Sequence, residues 1–145
     1  MSDTYSLSEY ADVIREVLDS GGEFTLYPRG TSMLPLIVEG RDSVTLEKRA
    51  VSVGDIAFYR RADGSFVLHR AVGFENGAYT MCGDNQLTLE KGVAPQQVIA
   101  AVKYVTRRGR RVGGAGYRLY LLLWRSFFIR RVYFRLRRIF HGFGF

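Results

Sequence analysis

The stretch DIAFYRRADGSFVLHRAVGFENGAYTMC, residues 55–82, consists of three extended runs separated by two turn signals. Ala62-Asp63-Gly64 and Glu75-Asn76-Gly77 are the turns, each supplying residues that tolerate a positive φ. Between them Val67, His69 and Ala71 alternate with Phe66, Leu68 and Arg70, the period of two that marks a strand with two distinct faces. The segment therefore predicts a meander of strands at 55–60, 65–74 and 78–82, joined by successive hairpins.

The same period continues outward from the meander. Residues 23–27, 43–47 and 98–106 read as further strands, so residues 23–106 form a β body, a small barrel or folded sheet. Ahead of it the period changes. Leu7, Tyr10, Ala11, Ile14, Val17 and Leu18 follow the i, i+3, i+4, i+7 spacing of an amphipathic helix over 7–18. Ser6 and Glu9 have capping-box spacing, and Gly21-Gly22 supply a stop. The expected class is mainly β, with one amphipathic helix before the body and a cationic one after it.

Composition narrows the function. A chain of 145 residues that is 47% hydrophobic suits one core. The single cysteine, Cys82, excludes an internal disulfide and reads as a buried structural thiol; no cluster has zinc-ligand spacing, so neither metal nor cofactor is expected. The start, MSDTYSLSEY, is polar and acidic, unlike a secretory signal, and no run of 18 apolar residues exists. The expected address is cytoplasmic, peripheral at the inner membrane face. Charge is split: residues 1–106 hold fourteen acidic and ten basic side chains, net −4, whereas residues 107–145 hold eleven arginines and no acid. Any anionic partner is therefore sought at the tail.

Chemistry concentrates in a few short strings. Gly30-Thr31-Ser32-Met33-Leu34-Pro35 follows a strand; its glycine suits close backbone approach and its proline restricts the turn that presents the Ser32 hydroxyl. A serine attacks a carbonyl only when a neighbouring base takes its proton. Of the two histidines, His141 lies in the tail, whereas His69 lies inside the meander. A histidine base needs an acceptor on its far nitrogen. With a two-residue turn at Asn76-Gly77, residues whose numbers sum to 153 face each other, which sets Asp84 opposite His69.

In order, the strings GTSMLP, VGDIAFYRR, VLHRAV and CGDN resemble those of the signal peptidase I superfamily, in the clan that includes the LexA-type self-cleaving repressors. The resemblance spans residues 23–106. The His-Arg pair resembles the endoplasmic-reticulum and archaeal branch, which uses Ser, His and Asp rather than a Ser-Lys dyad. It implies a serine endopeptidase cleaving a leader or signal-like peptide, with Ser32 as nucleophile and His69 as general base. Asp84, or Glu90 six residues later, would be the acid that orients His69. Gly54-Asp55 matches the family's GD turn, a structural support, and Met33 and Pro35 shape the nucleophile loop. Where many signal peptidases place a hydroxyl residue, this chain has Gly30, as LexA-type members do. The oxyanion would then rest on backbone N–H groups such as that of Ser32, with Thr31 assisting. Self-cleavage and a non-enzymatic, membrane-associated interaction module are the alternatives.

Residues 1–112 are expected to form the peptidase domain, and 113–145 a glycine-rich joint with a basic aromatic tail. Within 129–143, Ile129, Val132, Tyr133, Leu136, Ile139, Phe140 and Phe143 share one helical face; Arg130, Arg131, Arg135, Arg137 and Arg138 lie opposite. A helix with no acids and a strongly apolar face suits an anionic membrane surface, contacted through residues 117–145. Nucleic acid is not expected, because a phosphate-binding helix rarely carries seven large apolar residues opposite its arginines.

Overall fold

In the computed structural model, which describes residues 7–142, helix α1 (Leu7–Asp19) leads into one antiparallel sheet of eight strands. These are β1 (Phe24–Leu26), β2 (Asp42–Glu47), β3 (Ile56–Arg60), β4 (Phe66–Glu75), β5 (Ala78–Cys82), β6 (Glu90–Val93), β7 (Val98–Arg107) and β8 (Arg110–Arg111). Two helices follow, α2 (Gly114–Trp124) and α3 (Phe127–Gly142). The strand order is β1-β2-β7-β3-β4-β5-β6, with β8 paired to β7. The meander and the other expected strands are present within a residue or two of their predicted limits. Ser6, half of the expected capping box, and Phe143 lie outside the described residues.

Alternation along β3 explains why the sheet is buried on both sides. Ile56 and Phe58 point into one cluster, joined by Ile14 and Leu18 of α1, by Val44, Leu46, Val102 and Val105, and by Met33, Leu36 and Ile37 from the loop between β1 and β2. Ala57 and Tyr59 point into the other, with Val51, Ala71, Met81, Val93 and Ala101. Each large apolar side chain so buried contributes about 1.5–3 kcal/mol. The Ser32 loop is therefore rooted in the core by its own next residues.

The β4–β5 hairpin corrects the expected register. Glu75–Ala78, Phe74–Tyr79 and Gly73–Thr80 pair as expected, but a bulge between Ala71 and Gly73 shifts the next pairs to Ala71–Met81 and Arg70–Cys82. A one-residue slip exchanges the faces. Asp84, two residues beyond Cys82, thus falls on the side of Arg70 rather than of His69.

Two short strands escaped the pattern. β6 pairs Glu90 with Met81 and Val93 with Tyr79. β8 turns part of the basic cluster 107–111 into a hairpin, in which the Arg111 guanidinium sits 3.9 Å above the Tyr104 ring. Downstream, the expected joint is mostly helix: Gly114 and Gly116 stand in α2, with Gly113 as its N-cap.

Candidate active site

The loop carrying Ser32 is held by the loop carrying Asp84. The Asn85 amide donates to the Ser32 carbonyl at 2.9 Å, the Asn85 side-chain amide donates to the Thr31 carbonyl at 3.0 Å, and the Asp84 amide reaches Met33 Sδ at 3.5 Å. Gly83 makes this approach possible: a Cβ there would lie 2.5 Å from the Ser32 carbonyl oxygen. Gly30 has a different task from the one expected. No atom lies within 4 Å of where its Cβ would be, but its φ of +90° is one that a glycine adopts without strain. Its amide is occupied by Glu39 Oε2 at 3.2 Å. Among the described residues, none accepts a hydrogen bond from the Ser32 amide. Met33 is buried, whereas Thr31 and Pro35 are exposed.

Ser32 and His69 line one cavity of about 300 Å³, together with Arg29, Ile37, Arg61, Phe66 and Gln86. His69 is 5% exposed. Burial lowers its pKa below the usual 6.5, and the nearby charge of Arg61 lowers it further, against the opposing pull of Glu90 and Asp84. The ring is therefore neutral at pH 7 and able to accept a proton.

The expected Asp84–His69 pair is absent. Asp84 is fully buried and receives both arms of Arg70, at 2.8 and 2.7 Å, together with the Tyr120 hydroxyl at 2.7 Å. Trp124 Nε1 donates to its backbone carbonyl at 2.8 Å. Arg70 also donates to the Gly54 carbonyl at 2.7 Å, so it ties the GD turn to the GDN loop. In that turn Asp55 accepts from the Ser52 amide at 2.8 Å and from Arg49 at 2.7 Å, a structural support as expected. Asp84 anchors the Ser32 loop; the bulge in β4 is the reason it does not reach His69.

Glu90 stands on the His69 side instead, because β6 sets it opposite Met81. Its Oε2 accepts from the Tyr59 hydroxyl at 2.6 Å, and that hydroxyl lies 3.4 Å from His69 Nδ1. Arg61 grips Glu90 at 2.9 and 3.2 Å. Burial acts to raise the Glu90 carboxyl, but hydrogen bonds from Arg61 and Tyr59 outweigh it, and the group lies below the usual carboxylate range. Tyr59 and Arg61 went unnoticed in the sequence. A signal existed: the β3–β4 pairs Ala57–His69 and Tyr59–Val67 make Tyr59 a diagonal, same-face neighbour of His69.

The tail also belongs to this neighbourhood. Arg130, expected on the cationic face that suits an anionic membrane surface, is fully buried; it donates to the carbonyls of Trp124 at 2.8 Å and Gly83 at 3.2 Å, and contacts Cys82 Sγ at 3.5 Å. Arg137 donates to Asn85 Oδ1 at 2.7 Å. Burial raises the Cys82 thiol, which keeps it protonated. Among the described residues, no three His, Cys, Asp or Glu side chains converge as a metal site requires. No helix among them is long and apolar enough to cross a membrane. Comparison with protein-family models, curated proteins and solved structures finds no match for this chain.

Proposed function

We propose that the chain is a serine endopeptidase of signal-peptidase type, acting on a leader or signal-like peptide through an acyl-enzyme. The observation that carries this reading is the convergence of Ser32 and His69 on one cavity, with the serine loop pinned and the histidine neutral. Ser32 Oγ attacks the scissile carbonyl carbon while His69 takes its proton. The Ser32 amide, which no described residue engages, is suited to receive the developing oxyanion. His69 then returns the proton to the leaving amine, and water hydrolyses the ester by the same route in reverse. Of the two acids considered, Glu90 is the one on the histidine's side, linked through Tyr59, and Asp84 is assigned to holding the loop.

An anionic membrane surface is the partner proposed for the tail. Its support is an inverted distribution of side chains. In α2, Tyr120 and Trp124 turn inward to bond Asp84, while Leu119, Leu122 and Leu123 are exposed. In α3, Arg130 and Arg137 turn inward, while Phe128, Val132, Leu136, Ile139 and Phe140 are exposed beside Arg131, Arg135 and Arg138.

A serine-acylating probe followed by intact mass measurement and mapping of the adduct tests the enzyme. The expected result is one adduct, on Ser32, missing from both Ser32→Ala and His69→Ala proteins with unchanged melting curves. Folded wild-type protein that takes up no adduct, or takes it elsewhere, sinks the assignment.

A further inference from the structure

We infer that Tyr59 is the positioning residue that selects the tautomer of His69, with the Arg61–Glu90 pair acting through it. The inference rests on the peptidase reading for its purpose, but not for its geometry. Three short steps lead to it. Glu90, ionised and gripped by Arg61, can only accept hydrogen bonds. The 2.6 Å contact with Tyr59 Oη therefore uses the tyrosine's one proton. What Tyr59 turns toward His69 Nδ1, 3.4 Å away, is then a lone pair, and the proton between them belongs to Nδ1. A neutral imidazole protonated at Nδ1 carries its basic lone pair on Nε2, and His69 lines the same cavity as Ser32.

A tyrosine in this place differs from a carboxylate. It brings no charge of its own, and burial together with Glu90 pushes its hydroxyl far above the usual range, so it stays neutral at any working pH. It fixes the ring's direction without adding a charge that would raise the histidine pKa, which burial and the nearby Arg61 hold below the usual 6.5. The negative charge that stabilises the imidazolium during the reaction stands one residue further out, on Glu90. Catalytic hydrogen bonds that are long in the free protein, as this one is at 3.4 Å, often tighten in the reacting complex.

The decisive measurement needs no substrate. Protein labelled with ¹⁵N-histidine holds only two imidazoles, His69 and His141, and a His141→Gln variant assigns them. Above the His69 pKa, wild-type His69 is expected to show a protonated Nδ1 and an unprotonated Nε2. In Tyr59→Phe that preference is expected to be lost, and serine acylation by the probe to slow about tenfold, the size expected for one hydrogen bond. Acid titration of the Tyr59→Phe protein should still show a depressed pKa, because burial and Arg61 remain. A wild-type His69 protonated at Nε2, or a Tyr59→Phe spectrum identical to wild type, overturns the inference. If the tautomer shifts as expected but neither protein reacts with the probe, Tyr59 keeps its role toward His69 and the peptidase reading falls.

Discussion

Gly83 is where the two motif loops touch, and the contact is steric rather than conformational. A methyl group there would meet the Ser32 carbonyl oxygen at 2.5 Å and Gln86 Oε1 at 2.9 Å; the glutamine can swing away, but the backbone carbonyl cannot. Gly83→Ala is thus expected to push the Ser32 loop outward, costing about 1–3 kcal/mol and most of the probe labelling. Thermal melts and adduct yields that match wild type would show that the loops are not so close. His69 supplies the pH dependence. Its folded pKa lies below 6.5, so the unfolded chain takes up the proton first. Stability should therefore decline as pH falls below about 6.5, and activity should rise with pH through a midpoint under that value. Replacing His69 with Gln should flatten the stability profile over that window. At this scale the sequence was partly legible: Ser32 and His69 announce themselves by context, but Tyr59 looks like any strand aromatic until β3 is registered against β4.

At the scale of elements, the hairpin turns were read correctly and one bulge was not. Asn76 and Gly77 take positive φ of 53° and 74°, as the turn composition implies. Nothing in Arg70-Ala71-Val72-Gly73 distinguishes a continuous strand from a bulged one, so counting across the turn placed Asp84 on the wrong face. β6 was missed for a related reason: Glu-Lys-Gly-Val has no alternation, and its pairing with β5 is what makes it a strand. α3 shows the limit of amphipathic reading, because helical spacing finds the faces without saying which faces inward. Arg130 is the case in point, a buried guanidinium bonded to three backbone carbonyls, those of Trp124, Gly83 and Gln86. Arg130→Ala takes one donor from each of those carbonyls and opens a void, and we expect a loss of about 2–4 kcal/mol in chemical denaturation. A change below about 0.5 kcal/mol, the level of an ordinary surface substitution, would mean that α3 is not docked as described.

Across the whole molecule, the split between an acidic body and a basic tail is not a split into independent parts. Asp84 is shared by Arg70 of the sheet and Tyr120 of α2, with Arg130 of α3 3.8 Å away, so the helices complete the loop that holds Ser32. A chain ending after Gly113 loses those partners, and the tail is not a removable appendage. The consequence lies on the outside. Having spent polar side chains inward, α2 and α3 expose Leu122 at 65%, Phe128 at 75% and Phe140 at 74%. Exposed apolar side chains of this size are what the proposed membrane contact would cover. The arginines beside it, with no acidic residue in 107–145, favour an anionic lipid surface, each contributing about 1 kcal/mol. Full-length protein is expected to sediment with vesicles of mixed anionic and zwitterionic lipid, less at high salt but still measurably, because screening weakens only the charged part. Replacing Phe128 and Phe140 with serine should leave the melting curve unchanged, since both are exposed. It should weaken vesicle binding roughly a hundredfold, from the lost burial of two aromatic rings. Full-length protein that stays in the supernatant, or a serine variant that binds as tightly as wild type, would refute the lipid contact. A dimer that forms without lipid and dissociates in the serine variant would assign the same face to a second copy of the chain.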